Sequence, residues 1–265
     1  MNVNTYVENT TDFCRNLSID LVKNVFVFDE LSSTNFKAKE LARHGEPEGA
    51  IVISRVQTKG RGRFDRKWES PKGGLYFSVI LRPQVETGKT TLIPLIAALS
   101  VSETINSLYA VSSTIKWPND VQINGKKVAG ILLESESNGN KLDFVILGIG
   151  INLNTHINQL SPELKSNSTS IMHELSRSVD QYTFIKQLLL TLDKYYAVFL
   201  NHDINSILSE WKKHSDTLSR NLKVVTSSGE IVGKALDIDE SGFLIVVTDS
   251  GEHKKVNSGD CFYIE

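Results

Sequence analysis

The segment Lys59-Gly60-Arg61-Gly62-Arg63-Phe64-Asp65-Arg66-Lys67-Trp68 sets five cations around two glycines, just after the short apolar run 50–54. Glycine lets backbone N–H groups come close to a ligand, and the arginine fork matches carboxylate and phosphate oxygens in pairs. A loop of this composition is suited to hold an anion, with Arg61 and Arg63 as the forks. Trp68 then offers an aromatic face or anchors the far end. The plainer alternative is a solvated basic turn, because Gly-x-Gly recurs by chance. No Lys-Ser/Thr pair follows the glycines, so this is not a Walker A phosphate loop.

A second group is Lys116-Trp117-Pro118-Asn119-Asp120. A lysine at a strand end, followed by a proline-fixed turn carrying an amide and a carboxylate, suits a nucleotide phosphate and a metal, or a proton acceptor. A tight turn whose Asn and Asp bond their own backbone fits equally well. Lys127, taken alone, reads as a solvated lysine. Ser33-Thr34-Asn35 offers hydroxyls and an amide to a polar ligand head, although helix capping by itself accounts for them.

Periodicity supplies the elements that must carry these groups. A strand is expected at 25–28. A helix follows from Ser32-Ser33-Thr34 through Phe36, Leu41 and Ala42, stopping at Gly45. Strands at 50–54 and 75–81 bracket the arginine loop, and the second is either a core strand or a subunit edge. Apolar residues keep helical spacing across 90–109. Residues 115–123 read as strand, turn, strand, and Asn124-Gly125 joins them by a hairpin to a strand at 128–133. A buried strand at 143–149 leads into Gly150-Ile151-Asn152. The polar stretch 153–170 reads as a loop, and two amphipathic helices follow around Ile185–Phe199 and Ile207–Trp211. After Arg220, five short segments separated by Ser-Gly turns have the pattern of a small β-barrel.

The 265 residues fit a large domain plus a small one, here expected as an N-terminal extension at 1–20, a main domain at 21–219 and a barrel domain at 220–265. A net charge of −2 argues against general nucleic-acid affinity. Cys14 and Cys261 are far apart, without metal-ligand spacing, which favours a reducing cytoplasm. No signal peptide is expected in Met1–Asn9, and no apolar run is expected to reach the length of a bilayer.

Taken together, Ser33-Thr34-Asn35, Gln57 with the Gly-Arg-Gly-Arg loop, Lys116 to Asp120, Lys127 and Gly130-Ile131-Leu132-Leu133-Glu134 resemble the biotin protein ligase family in content, order and spacing. The resemblance is strong over about 25–155 and weaker through the terminal barrel. It implies an α+β fold: a mixed β-sheet flanked by helices, SH2-like and class II synthetase-like, plus an SH3-like C-terminal β-barrel. It implies ATP and Mg²⁺ as cofactors and biotin as the substrate, activated as biotinyl-5'-AMP and passed to a lysine of a biotin carboxyl carrier domain. The positions that match the family's biotin site are Ser33, Thr34, Asn35, Gln57, Arg61, Gly62, Arg63 and Lys127. Those that match its nucleotide site are Arg61, Arg66, Trp68, Lys116, Asn119 and Asn152, and the metal ligands stay unassigned. Arg63 and Lys127 are expected to act in catalysis, with Asp120 orienting the incoming amine or taking its proton.

Phe64-Asp65 departs from the glycine-containing pair common in the family, which predicts less backbone freedom in the loop. The winged helix-turn-helix of repressor-type members has no room before the first core strand, so DNA binding is not expected. A homodimer stays open, and no membrane partner is expected. The nearest alternative is a lipoate or octanoate ligase, which needs a long apolar slot rather than polar groups for a ureido ring. A nucleic-acid regulator using the arginine loop, or an interaction module built on the barrel, leaves the polar constellation at 33–134 without a role.

Overall fold

The computed structural model describes residues 19–139 and 141–264. All but the last two residues of the expected N-terminal extension, and Cys14, lie outside that range. Seven strands form one mixed sheet in the order β1-β2-β3-β7-β6-β5-β4. They are β1 Asn24–Leu31, β2 Ala50–Gln57, β3 Leu75–Leu81, β4 Ser113–Lys116, β5 Asp120–Ile123, β6 Lys126–Asn138 and β7 Lys141–Ile151. β1 and β2 run parallel and every other neighbouring pair is antiparallel.

Side chains alternate between the two faces of the sheet, and each face has its own cover. Val52, Ile80, Phe144 and Ile146 pack with Ala38 and Ala42 of helix α1, Thr34–Arg43. Ile51, Val79, Leu81, Val145 and Leu147 point the other way, into a larger core that holds α2 (Ile93–Leu108), α5 (Gln181–Leu200) and α6 (Ile204–His214). β3 sits between β2 and β7 under both covers, so all seven of its residues are buried. It is a core strand, which closes the subunit-edge alternative.

α2 has the length and mean hydropathy of a membrane span when its 3-10 lead-in is included (Thr87–Leu108, 22 residues), contrary to the sequence expectation. Its apolar character all round has a simpler cause: it is the buried helix between the sheet and the outer helices. Gly45 follows α1 at φ +90°, the left-handed stop expected of it. Asn124 and Gly125, at φ 51° and 73°, make the β5–β6 turn. The stretch expected as a loop at 153–170 carries a short helix, α3 Pro162–Lys165, and α4 Ile171–Leu175 follows it.

The C-terminal strands β8 Asn221–Thr226, β9 Gly229–Ile238, β10 Leu244–Val247, β11 His253–Val256 and β12 Asp260–Tyr263 form a second, wholly antiparallel, SH3-like sheet in the order β11-β10-β9-β8-β12. It is packed onto the first. The Trp117 indole N–H donates to Gly242 O at 3.0 Å, and the Trp117 backbone N–H donates to Thr217 Oγ1 at 2.9 Å. Trp117 and its proline-fixed turn therefore hold the two sheets together.

Candidate active site

The N-terminus of α1 has unsatisfied backbone donors that a side chain must meet. Ser33 occupies the capping position, yet its side chain makes no capping bond. Gln57, at the end of β2, does the work from another element: its Oε1 accepts from Thr34 N at 2.8 Å and from Thr34 Oγ1 at 3.2 Å. Its Nε2 donates to Ser70 Oγ at 2.9 Å, which fixes which way the amide faces. Capping, the plainer reading of Ser33, is thus performed by a different residue.

Asn35 lies flat on β7. A Cβ on Gly148 would stand 2.1 Å from Asn35 Oδ1, so only glycine allows this approach. Next along the floor, Gly130 and Gly150 are register partners on β6 and β7, and the Trp68 ring covers both. The Lys127 ammonium stands 5.3 Å from the centre of that ring, and the Trp68 indole N–H is buried without a partner. The floor of the cleft is therefore backbone, and Trp68 is both a wall and an anchor of the arginine loop.

That loop is a tight hairpin. Trp68 N donates to Gly60 O at 2.9 Å and Gly62 N to Arg66 O at 2.7 Å. Phe64 and Asp65 sit at its tip with φ of 53° and 56°, in the left-handed region that glycine prefers. The departure noted in the sequence falls where a side chain costs most. Arg63 donates to Asn119 Oδ1 at 3.3 Å, to Gly259 O at 3.1 Å and to Ser258 Oγ at 2.8 Å, and Arg66 pairs with Asp260. Burial pushes the Arg63 guanidinium pKa down, while Asp260 and then Asp120 pull it back up. The second sheet thus supplies one bank of the cleft.

At the basic corner Lys127 Nζ lies 2.6 Å from Asp120 Oδ1, an ion pair angled away from hydrogen-bond geometry, which leaves that oxygen without a hydrogen-bond donor. Asn119 is not spent on its own turn: its Nδ2 donates to Ile131 O at 2.6 Å. The resulting cavity of about 250 Å³ is lined by Ser33, Thr34, Asn35, Gln57, Arg61, Gly62, Arg63, Arg66, Trp68, Asn119, Asp120, Lys127 and Asn152. Of the residues matched to the family's biotin, nucleotide and catalytic positions, only Lys116 stays out of that lining. Its ammonium sits over the Tyr263 ring, 4.6 Å from the centre, at the seam with the second sheet. A polar head end at α1 and a cluster of cations at the other end suit a ligand with a hydrogen-bonding head and an acidic tail.

Comparison with known proteins agrees with this chemistry. The family model described as the biotin/lipoate A/B protein ligase family matches residues 27–152, and that of the biotin protein ligase C-terminal domain matches 218–263. The bifunctional ligase/repressor BirA of Bacillus subtilis is 38% identical over 239 residues, which cover 90% of this chain and 73% of that protein. The chain belongs to the biotin protein ligase family. The biotin–[acetyl-CoA-carboxylase] ligase of Paracoccus denitrificans is 33% identical, with 83% of this chain and 92% of that one covered. The structure of an Aquifex aeolicus biotin protein ligase in complex with biotin and ATP superposes with a TM-score of 0.78 at 30% identity, covering 91% and 99% of the two chains.

Within this biotin protein ligase family fold, sequence reasoning missed several residues that build the cleft. Ser78 lies beneath Asn35, and Glu134, quoted in the sequence within the 130–134 motif but given no role there, bridges Arg61 and Asn35. Ser258 and Asp260 reach in from the second sheet. Gly148-Ile149-Gly150 carried a readable signal, because alternate glycines in a strand mark a close approach by something else. Ser78 and Ser258 carried none.

Proposed function

We propose that this chain is an ATP-dependent biotin protein ligase that makes biotinyl-5'-AMP, releases pyrophosphate, and transfers biotin to a lysine of a biotin carboxyl carrier domain. One observation carries the reading: a single cavity joins the polar groups at the start of α1 to Arg61, Arg63 and Lys127. The names of the relatives support the substrate pair.

Ser33, Thr34, Asn35 and Gln57 receive the ureido ring, and Gly62 with the loop arginines receives the acid end. A carboxylate and a triphosphate repel one another, so their approach requires fixed positive charge. Arg63 and Lys127 supply it as the carboxylate oxygen attacks the α-phosphorus and pyrophosphate leaves. Arg66, Trp68 and Asn152 line the nucleotide end of the cavity. Lys116, behind the wall, contributes long-range charge rather than contact. Asn119 Oδ1 accepts from Arg63 and Asp120 Oδ1 lies 2.6 Å from the Lys127 ammonium, so neither oxygen is free for a hard cation, and the ligands of Mg²⁺ stay unassigned. When bound, that ion offsets phosphate charge.

The mixed anhydride hydrolyses readily, so the Trp68 wall and the arginine hairpin must keep water from it. In the second step the carrier's neutral lysine amine attacks the acyl carbonyl and AMP departs. Asp120 orients that amine or takes its proton. A division at about residue 220 into catalytic and C-terminal domains is supported by the two separate sheets. A reducing cytoplasm is the proposed setting, supported by Cys261 as a buried free thiol. The net charge of −2 supports a role without general nucleic-acid affinity. Biotin-dependent exchange of labelled pyrophosphate into ATP tests the first step, and mass spectrometry for biotinyl-adenylate identifies its product. Absence of both would refute the proposal.

A further inference from the structure

Glu134 reaches both ends of the cleft with one carboxylate. Its Oε1 accepts from Arg61 Nη1 at 3.0 Å, and its Oε2 accepts from Asn35 Nδ2 at 2.8 Å. Asn35 is buried, and its Oδ1 lies 2.6 Å from Ser78 Oγ. An ionised carboxylate can only accept, so Glu134 dictates which end of the Asn35 amide is nitrogen, and Ser78 holds the oxygen end. One N–H and one lone pair of Asn35 are left for a ligand.

Arg61 has a second partner, Asp65, at 3.3 Å. Asp65 is 91% exposed, so that pair is screened and weak. The Glu134 pair differs, because Glu134 is 21% exposed and its other oxygen is committed to Asn35. Whatever draws the Arg61 guanidinium toward an incoming anion alters the charge that holds the Asn35 amide. The reverse holds by linkage.

We infer that Glu134 is a positioning residue that couples the two ends of the acid-binding cleft, so that the cation meeting the ligand's charged end also sets the amide meeting its polar head. This rests on the biotin reading above. Glutamine in place of Glu134 has one acceptor and one donor end, so it satisfies either Arg61 or Asn35 but not both.

The test uses biotin and its alcohol analogue, in which the carboxylate is reduced to a primary alcohol, with binding to the full chain measured by calorimetry. The analogue has no charge for Arg61 to meet. Coupling through Glu134 predicts that Arg61→Ala still weakens the analogue, by about five- to tenfold, the lower end of common coupling strengths. Arg61→Lys, which can still donate to Glu134, should recover part of that loss. Glu134→Gln should weaken the analogue to a similar extent, and adding Arg61→Ala to it should cost less than a further twofold. An Arg61→Ala protein that binds the analogue like the unaltered chain while losing biotin would overturn the inference, as would effects that simply multiply in the double variant. Arg61 is half exposed, so its single variants decide the matter even if Glu134→Gln does not fold. Failure of the unaltered protein to bind biotin at all would sink the ligand reading, and this inference with it.

Discussion

Gly148→Ala tests the backbone floor most directly. The added Cβ would stand 2.1 Å from Asn35 Oδ1 and 2.9 Å from Asn35 Cγ, with the backbone of β7 fixed by pairing on both sides. Ordinary contact begins near 3.4 Å, so Asn35 has to move by roughly 1.3 Å. A shift of that size stretches the 2.6 Å contact to Ser78 and the 2.8 Å bond to Glu134 beyond useful length. One neutral bond is worth about 1 kcal/mol net and one bond to a charged group about 1.5–3 kcal/mol, so the head end loses about 2–4 kcal/mol of organisation. Biotin affinity should therefore fall by about 30- to 1,000-fold. The assay is calorimetric titration of biotin, paired with a thermal melt to confirm that the variant is folded. A folded Gly148→Ala protein that binds biotin within about threefold of the unaltered chain would refute the argument that Asn35, held against bare backbone, organises the head of the ligand.

Lys127→Ala should slow adenylate formation by about 10²- to 10³-fold in pyrophosphate exchange, a larger effect than its loss of about 1–3 kcal/mol of stability from leaving the buried Asp120 Oδ1 unpaired. Normal exchange would take Lys127 out of the reaction. At the loop tip, Asp65→Gly relieves a left-handed side chain worth about 1–2 kcal/mol at some cost in unfolded-chain entropy, so it should be more stable than Asp65→Ala by about 0.5–1 kcal/mol in denaturant titration. The opposite ranking would remove strain from the account of this hairpin. Burial pushes the Cys261 thiol up to about 12 from its ordinary value of 9.0. The unfolded chain therefore ionises first, and stability should fall as pH rises from about 9 toward about 12. Chemical denaturation at about pH 8 and about pH 10.5 should reveal that slope, and Cys261→Ala should reduce it, the remainder belonging to buried tyrosines such as Tyr76 and Tyr196, whose hydroxyl pKa burial also pushes up. An unchanged slope would assign the alkaline loss to other groups.

Local rules carried the elements whose causes are local. Asn124-Gly125 and Gly45 announced a turn and a helix stop because their backbone geometry is intrinsic to the residue types. The uncharged run of β3 announced a strand, but whether it lay in the core or at a subunit edge waited on its place between β2 and β7. The reach of Glu134 to Asn35, across 99 positions, has no such signature, because the contact exists only once β6 and α1 are placed on the same sheet. The placement of Lys116 was hidden for the same reason. Its type and turn suit a phosphate, but Tyr263, at the far end of the chain, comes to lie beneath its ammonium. The short helix α4 escaped because its five residues are too few for periodicity to register. The capping of α1 shows a subtler limit: Ser33 is a preferred cap residue by type, and the bond is made instead by Gln57 from β2.

The chain has three tryptophans, and the fold separates them sharply. Trp117 is 2% exposed and Trp211 is fully enclosed, whereas Trp68 forms the wall of the cleft beside the Lys127 ammonium. A cation near an indole quenches and shifts its emission, so any ligand that redirects Lys127 changes the light from one known position while the other two stay constant. The protein carries its own optical gauge of cleft occupancy, and the filling of the pocket can be followed in real time without a dye or a label.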